Sequence, residues 1–187
     1  DVTGVQTCAL PILSPAPAGA AATGPTVGST AFGTGTPLSF TAGVATGSMV
    51  LTKAETAHVA VEDDSTPTKL AAAGTDRLTV LVSAAAASRL KVTGTASQTA
   101  GASKDVTVTA YDTYGNVATG YMGSKSVTFS GAGVSPAPAG AAATGPTVDG
   151  TAFGSGMSLS FTAGVATGSM VLTKAETAHV AVEDDST

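Results

Sequence analysis

The chain has 187 residues, and its 13 acidic and 8 basic side chains give a formal net charge of −5. The Lys and Arg residues form no cluster, which argues against a nucleic-acid groove, because such a groove needs several cations to displace counterions. Charged residues make up 11% of the chain, so we expect a surface of Thr, Ser, Gly and Ala. The sequence has no run of about 18 apolar residues, and it therefore predicts no membrane insertion.

A long internal repeat organises the sequence. Ser135–Thr187 repeats Ser14–Thr66 at an offset of 121 residues, with differences at five positions: Gly28/Asp149, Ser29/Gly150, Thr34/Ser155, Thr36/Met157 and Pro37/Ser158. A period of this length is too long for a solenoid unit and suits a small domain with its own core. We therefore predict tandem repeats of one domain, both of them truncated.

The first residues have a separate origin in this interpretation. Val2–Ile12, VTGVQTCALPI, reads as the translation of a sequencing-library adapter, and identity between the copies begins just beyond it, at Ser14. We therefore treat residues 1–13 as an adapter-derived artefact and exclude them from the fold prediction. The only cysteine, Cys8, lies in this segment, so the rest of the chain offers no thiol for a disulfide or a metal.

Residues 14–86 are predicted to be the C-terminal part of a first repeat. Pro, Ala and Gly residues predict an extended loop over Ser14–Gly35, and GVATGS predicts a turn over Gly43–Ser48. Ala71–Asp76 is predicted to be a second loop. The strands are predicted at Leu38–Phe40, Met49–Lys53, Ala57–Glu62 and Arg77–Ser83.

The strand predictions depend on a two-residue alternation of apolar and polar side chains, the pattern of half-buried antiparallel strands. Ala57, Val59 and Val61 are expected to share the inward face of their strand. Leu78, Val80 and Val82 alternate in the same way.

Residues 87–187 are predicted to be a second repeat that lacks its last strand, with the boundary near Ala86–Ser88 after an alanine-rich linker. Gly115-Asn116 is expected to supply the positive-φ pair of a turn. The predicted strands of this part, before the repeated segment, are Ser88–Val92, Lys104–Asp112 and Ser126–Ser130. Their inward residues are expected to be Leu90, Val92, Val106, Val108, Ala110, Val127 and Phe129.

About seven short strands per period, separated by Gly-, Pro- and Asp-containing turns, are typical of an antiparallel β-sandwich, and the predicted fold class is all-β. The first repeat lacks its initial strands and the second its final one. Each is therefore expected to leave an unpaired edge or gap that a complete repeat would fill.

Ala87–Gly131 resembles bacterial immunoglobulin-like repeats, the sandwich modules of large surface and secreted proteins, in the style of invasin/intimin stalk domains and filamin-type repeats. The resemblance is carried by SRLKV, VTVTAYDTYGN, the GY…VTFS strand and the repeated GSMVLTKAETAHVAVED. The SPAPAGAAATGPT segment departs from it by replacing a tighter connection. The resemblance implies an antiparallel immunoglobulin-like β-sandwich that serves as a spacer, stalk or adhesive fibre, or as a module attached to a secreted enzyme.

Two acidic groups could carry chemistry, Glu62-Asp63-Asp64 and its copy Glu183-Asp184-Asp185. Hard oxygen ligands of this kind suit Ca²⁺, and Asp112 and Asn116 could add oxygens from a neighbouring turn. The sequence has no DxDxDG spacing. The favoured interpretation is that the acids solvate a strand end and that Asp112 and Asn116 stabilise their turn, so no metal, cofactor or catalytic residue is predicted.

The remaining candidates are histidines and tyrosines. His58 and His179 occupy equivalent outward positions, and one histidine per repeat without a second ligand predicts a surface residue. Tyr111, Tyr114 and Tyr121 flank one turn and could form a recognition patch, although Tyr111 could equally cover a cross-strand neighbour.

The sequence thus predicts a non-enzymatic spacer or stalk module of a bacterial surface or secreted protein, extracellular in location. Its expected partners are neighbouring repeats of the same chain, with a host or matrix ligand as a further one. The alternatives are a ligand-binding module, adhesive or carbohydrate-directed, and an accessory domain of a secreted hydrolase.

Overall fold

A computed structural model describes residues 5–6, 21–63 and 69–186. Most of the artefact segment 1–13 with Cys8, the start of the Ser14–Gly35 loop, Asp64 and Thr187 lie outside the described residues. The chain divides into two compact units. The first comprises Asp1–Ala84 with Tyr114–Asn116, and the second comprises Ala85–Thr113 with Val117–Thr187. Their regular structure is antiparallel β-sheet, consistent with a β-sandwich.

The first unit contains eight short described strands and a 3-10 turn at Gly74–Asp76. The strands form three sheets, ordered β4-β1-β7, β3-β2-β5 and β6-β8. They are β1 (Val5–Gln6), β2 (Thr26–Val27), β3 (Thr30–Ala31), β4 (Gly35–Thr36), β5 (Met49–Val50), β6 (Glu55–Val59), β7 (Glu62–Asp63) and β8 (Leu78–Val82).

The second unit contains two sheets, one of five strands ordered β13-β12-β15-β10-β9 and one of three strands ordered β14-β11-β16. The strands are β9 (Arg89–Gly94), β10 (Ser103–Tyr111), β11 (Gly123–Ser130), β12 (Thr147–Val148), β13 (Thr151–Ala152), β14 (Gly156–Phe161), β15 (Val165–Val171) and β16 (Ala181–Asp184). The alanine-rich segment before β9 is without helix, as predicted.

The predicted alternation of buried and exposed side chains is confirmed in β10 and β11. Their inward residues meet residues from both sheets in one core, as a sandwich requires. The fully buried members include Val108, Val127 and Phe129. The complete core consists of Val106, Val108, Val127, Phe129, Val148, Leu159, Phe161, Ala166 and Met170, with Leu90, Val92, Val180 and Val182 packed against it.

The predicted turn at Gly43–Ser48 is wrong in position. The tight turn lies earlier, at Ala42-Gly43, where φ is 50° and 81°, and at the equivalent Ala163-Gly164, where φ is 48° and 83°. Two consecutive positive φ angles are typical of the two-residue hairpin turn that matches strand twist. Because the turn is complete by Gly164, Val165 and the residues after it are free to pair along β10.

The predicted extended loop also contains regular structure. Within it β2 pairs with β3, and in the second copy β12 pairs with β13. The turns are Gly28-Ser29 and Asp149-Gly150, both with positive φ. In the second unit this small hairpin places Val148 fully inside the core. At the other predicted turn pair, only Gly115 has a positive φ, and Asn116 does not.

Identical residues of the two copies differ in structure. Leu38–Phe40 forms no strand, whereas the equivalent Leu159–Phe161 lies in β14, paired with β11. Phe40 is 52% exposed and Phe161 is 2% exposed. The strand prediction at Leu38–Phe40 is therefore wrong for the first unit, where no strand of the described residues pairs with this segment.

Two further strand predictions in the first unit need correction. The predicted strand Met49–Lys53 is reduced to Met49–Val50, and Ala57–Glu62 is divided into β6 and β7. Between those strands the alternation changes phase, so that Ala60 is buried and Val61 is 41% exposed. The break leaves Ala57 and Val59 inward as predicted, but not Val61.

Candidate functional site

The second acidic group lies beside the central strand of the three-stranded sheet. β16 pairs with β11, so that Asp184 stands opposite Val127 and Glu183 opposite Thr128. The strand β11 is continuous, and its side chains are buried at alternate positions. This alternation fixes the register in which β16, and with it the acidic group, pairs with β11. Side-chain positions here are therefore set by the sheet.

Asp184 is engaged by a tyrosine. The Tyr121 hydroxyl donates to Asp184 Oδ2 at 2.5 Å, and the Ser186 N–H donates to Asp184 Oδ1 at 2.9 Å. The Tyr121 hydrogen bond holds the pKa of Asp184 below its usual value, the Ser186 contacts adding to it. Burial, reinforced by the Asp184 carboxylate, raises the pKa of Tyr121. The tyrosine is thus a neutral donor and not a base at physiological pH.

Asp185 is engaged by hydroxyls of β11. Ser126 Oγ and Thr128 Oγ1 donate to Asp185 Oδ2 at 3.2 and 2.9 Å, and the Asp185 N–H donates to the Ser126 carbonyl at 2.9 Å. These bonds close the end of the sheet after β16. They tie Asp185 to the central strand β11.

The calcium hypothesis finds no converging ligand set in the part of the chain that the structure describes, which contains no group of three or more His, Cys, Asp or Glu residues suited to a metal ion. In the first copy Glu62 forms an ion pair with Lys69 at 2.9 Å, and Asp64 lies outside the described residues.

The buried polar residues of the AYDTYGN turn hold backbone segments. Asp112, fully buried, accepts the Ala85 N–H at 3.0 Å within the second unit. Asn116, counted with the first unit, accepts the Ala54 N–H at 3.0 Å and donates to the Thr52 carbonyl at 2.8 Å. These contacts are the ones that buried polar groups require.

The two histidines are exposed, at the outward positions that the sequence predicted for them. His58 Nδ1 lies 3.1 Å from Thr79 Oγ1, across the pair formed by β6 and β8. This hydrogen bond joins side chains of two neighbouring strands.

The three tyrosines are half-buried. The Arg89 guanidinium lies 4.4 Å from the centre of the Tyr111 ring, a cation–π contact. The Tyr121 ring packs edge-on against Phe161 at 4.8 Å. Tyr121 and Tyr111 therefore have packing roles within the second unit, and the hypothesis of a recognition patch remains a prediction.

A groove lies in the second unit, for which the sequence analysis expected an unpaired edge or gap. Its volume is about 410 Å³, and it lies between the end of β9, with the segment that follows it, and Lys174–Val180. Its apolar lining includes Val92, Val106, Met170, Leu172 and Val180. Lys174 is hydrogen-bonded to Glu176, and this bond together with the Gly133 N–H holds the pKa of Glu176 below its usual value.

Among the described residues no helix is long and apolar enough to cross a membrane. Comparison with known proteins found no matching family model, no matching curated protein and no matching solved structure.

Proposed function

We propose that the chain is a segment of tandem immunoglobulin-like sandwiches that acts as a spacer or stalk in a bacterial cell-surface or secreted protein. The observation that supports this proposal most strongly is the architecture of the second unit. Its two antiparallel sheets enclose a cysteine-free core to which both contribute. Such a unit keeps its dimensions without a ligand, and repetition of the unit would set the reach of the array.

The hydrogen bonds and pKa values of the polar residues support a role without catalysis. Asp184 and Asp185 accept hydrogen bonds from side chains of their own unit, and Asp112 holds a backbone N–H. A catalytic site needs groups aimed at a substrate, with pKa values matched to proton transfer. The carboxylate pKa of Asp184 is lowered and the phenol pKa of Tyr121 is raised, both away from neutrality.

The proposed location is outside the cell, and the proposed partners are neighbouring repeats. The resemblance of VTVTAYDTYGN and VTFS to bacterial immunoglobulin-like repeats supports both. The weakly charged, Thr- and Ser-rich sequence is suited to an extended array that stays soluble.

The test joins one, two and four copies of the full chain and measures each protein by small-angle X-ray scattering. A spacer is expected to gain maximum dimension in proportion to the number of copies. A maximum dimension that stops growing would contradict the proposal. The same samples are also tested for binding to an array of matrix proteins and glycans. An adhesive module would be favoured instead if the chain bound saturably, if Tyr111→Ala abolished that binding and if Tyr121→Phe retained it.

A further inference from the structure

The same five residues, ETAHV, occur in both units with different pairing. In the first unit they form β6, which pairs with β8 from Glu55↔Val82 to Val59↔Leu78. In the second unit they are Glu176–Val180, which belongs to none of the strands or bridges of the described chain. An acceptor edge is thus occupied in one unit and open in the other.

Burial changes with this pairing. Ala57 in β6 is 2% exposed and Ala60 is 9% exposed, whereas the equivalent Ala178 is half-buried and Ala181 is exposed. The open edge also borders the groove of about 410 Å³. Among the described residues this segment thus combines a backbone without a strand partner with an apolar depression beside it.

Gln98 supplies an independent observation. Its side chain lines the groove, and its amide oxygen and amide nitrogen are both buried without a hydrogen-bond partner in the described structure. A buried amide without partners is costly, and one that presents a donor and an acceptor is complementary to a peptide backbone.

We propose that Glu176–Val180 and the groove beside it form an acceptor site for an extended peptide strand of the LTVLV type, added antiparallel in the register of β6 and β8. The occupant is a strand whose alternate residues are aliphatic. In the first unit Val80 and Val82 face inward, whereas Thr79 is exposed and Leu81 is 76% exposed. The site would bind the side chains at the Val80 and Val82 positions of the peptide, and the opposite face of the peptide would stay exposed to solvent. This strand-binding activity goes beyond the spacer function.

Binding is tested with a fluorescein-labelled peptide that has the sequence of residues 76–84, titrated with the full chain and followed by fluorescence anisotropy. A peptide with aspartate at the Val80 and Val82 positions is expected to bind at least about tenfold more weakly, because two apolar side chains lose their burial. The matched control carries aspartate at the exposed Leu81 position and is expected to bind within about threefold of the parent peptide. Equal affinity of all three peptides, or no binding, would overturn the proposal.

The register is tested by disulfide trapping in a Cys8→Ser background. A chain with His179→Cys is expected to trap a peptide with cysteine at the Thr79 position, because His58 stands opposite Thr79 in the first unit. Cysteine at the Leu81 position, two residues further along, is expected to trap poorly. Equal trapping would contradict the register. In the anisotropy assay, the Gln98→Ala chain is expected to bind the parent peptide more weakly than the unchanged chain does.

A second copy of the chain could compete for the edge by exchanging its β8. Size-exclusion chromatography over a range of chain concentrations distinguishes this case. A chain that dimerises and then no longer takes up the peptide would show that another copy is the occupant, and it would overturn the proposal as stated.

Discussion

At the scale of single residues, a few side chains join the edges of the second unit. Tyr121 packs its ring against Phe161 and donates its hydroxyl to Asp184, so one residue connects the core to the end of β16. Lys125 lies 4.8 Å from the centre of the same ring. Tyr121 therefore contributes to stability in two ways, through an apolar contact with Phe161 and through a hydrogen bond to a half-buried carboxylate.

Tyr121→Phe keeps the ring and removes the hydroxyl. We expect it to destabilise the second unit by about 1 kcal/mol near pH 7, since the acceptor is charged but screened by solvent. Thermal melts followed by circular dichroism measure the effect, with Tyr111→Phe, whose ring lies under Arg89, as the control.

The same variant has a defined pH dependence. The pKa of Asp184 is lower in the folded chain than its ordinary 3.8, so its stabilising contribution is present above that value and is lost as pH falls through the folded pKa. The difference in melting temperature between wild type and Tyr121→Phe is therefore expected to shrink when pH is lowered from about 7 to about 2. An unchanged difference would show that Asp184 is not the partner that matters.

Phe161 and Phe40 form a natural matched pair, since both lie in the sequence LSFTAGVATGSMV. Phe161→Ala removes a side chain from the core and is expected to cost about 3–5 kcal/mol. Phe40→Ala acts on a side chain that is 52% exposed and is expected to cost less than about 1 kcal/mol. Urea unfolding of both variants measures the two costs, and equal costs would mean that Phe40 has a buried environment after all.

At the scale of elements, a strand forms where a neighbour is present to receive it. β14 extends over six residues beside the eight residues of β11, whereas its counterpart β4 has two. β1 stands between β4 and β7 in the register that β11 adopts between β14 and β16: Val5 is opposite Thr36 and Asp63, as Val127 is opposite Met157 and Asp184. The position of this central strand is thus conserved between the units.

Replacing residues 2–13 with the sequence of residues 123–134 tests this dependence on neighbours. The transplanted segment has the spacing to Ser14 that the original has to Ser135. We expect Leu38–Phe40 to become a strand, and the amide of Phe40 to gain protection from hydrogen exchange measured by NMR. A control transplant with aspartate at the Val127 and Phe129 positions is expected to give no protection.

At the scale of the whole molecule, the two units differ in how well they bury their apolar side chains. Leu70, Leu78 and Leu81 of the first unit are 72%, 56% and 76% exposed, whereas the second unit has nine buried residues in one core cluster. Burial of apolar area is the main source of stability, so the first unit is expected to be the weaker of the two.

Calorimetry of the full chain is therefore expected to show two transitions, with the first unit unfolding at the lower temperature. Hydrogen exchange identifies the units, since amides of β6 and β8 should exchange faster than those of β10 and β11. One cooperative transition with equal protection in these strands would contradict the expectation. Addition of millimolar calcium is expected to leave both transitions unchanged, and a shift would restore the calcium hypothesis.

The sequence by itself determined the strand periodicity of β10 and β11 and the part of the core that these two strands supply. In VTVTAYD and SVTFS the side-chain period of two assigns Val106, Val108, Val127 and Phe129 to one face, and that assignment needs no knowledge of neighbours. The dipeptide Asp149-Gly150 is itself typical of a hairpin turn, although the Pro, Ala and Gly residues around it predict a loop.

The tertiary structure alone decided which copy of each repeated element becomes a strand. LSF and ETAHV are identical in both copies, and each is a strand in one unit and not in the other. The physical reason is that β-structure is completed by hydrogen bonds and side-chain packing from another part of the chain. Local sequence sets which face a residue would take, but it cannot supply the partner, and the open edge at Glu176–Val180 follows from that dependence.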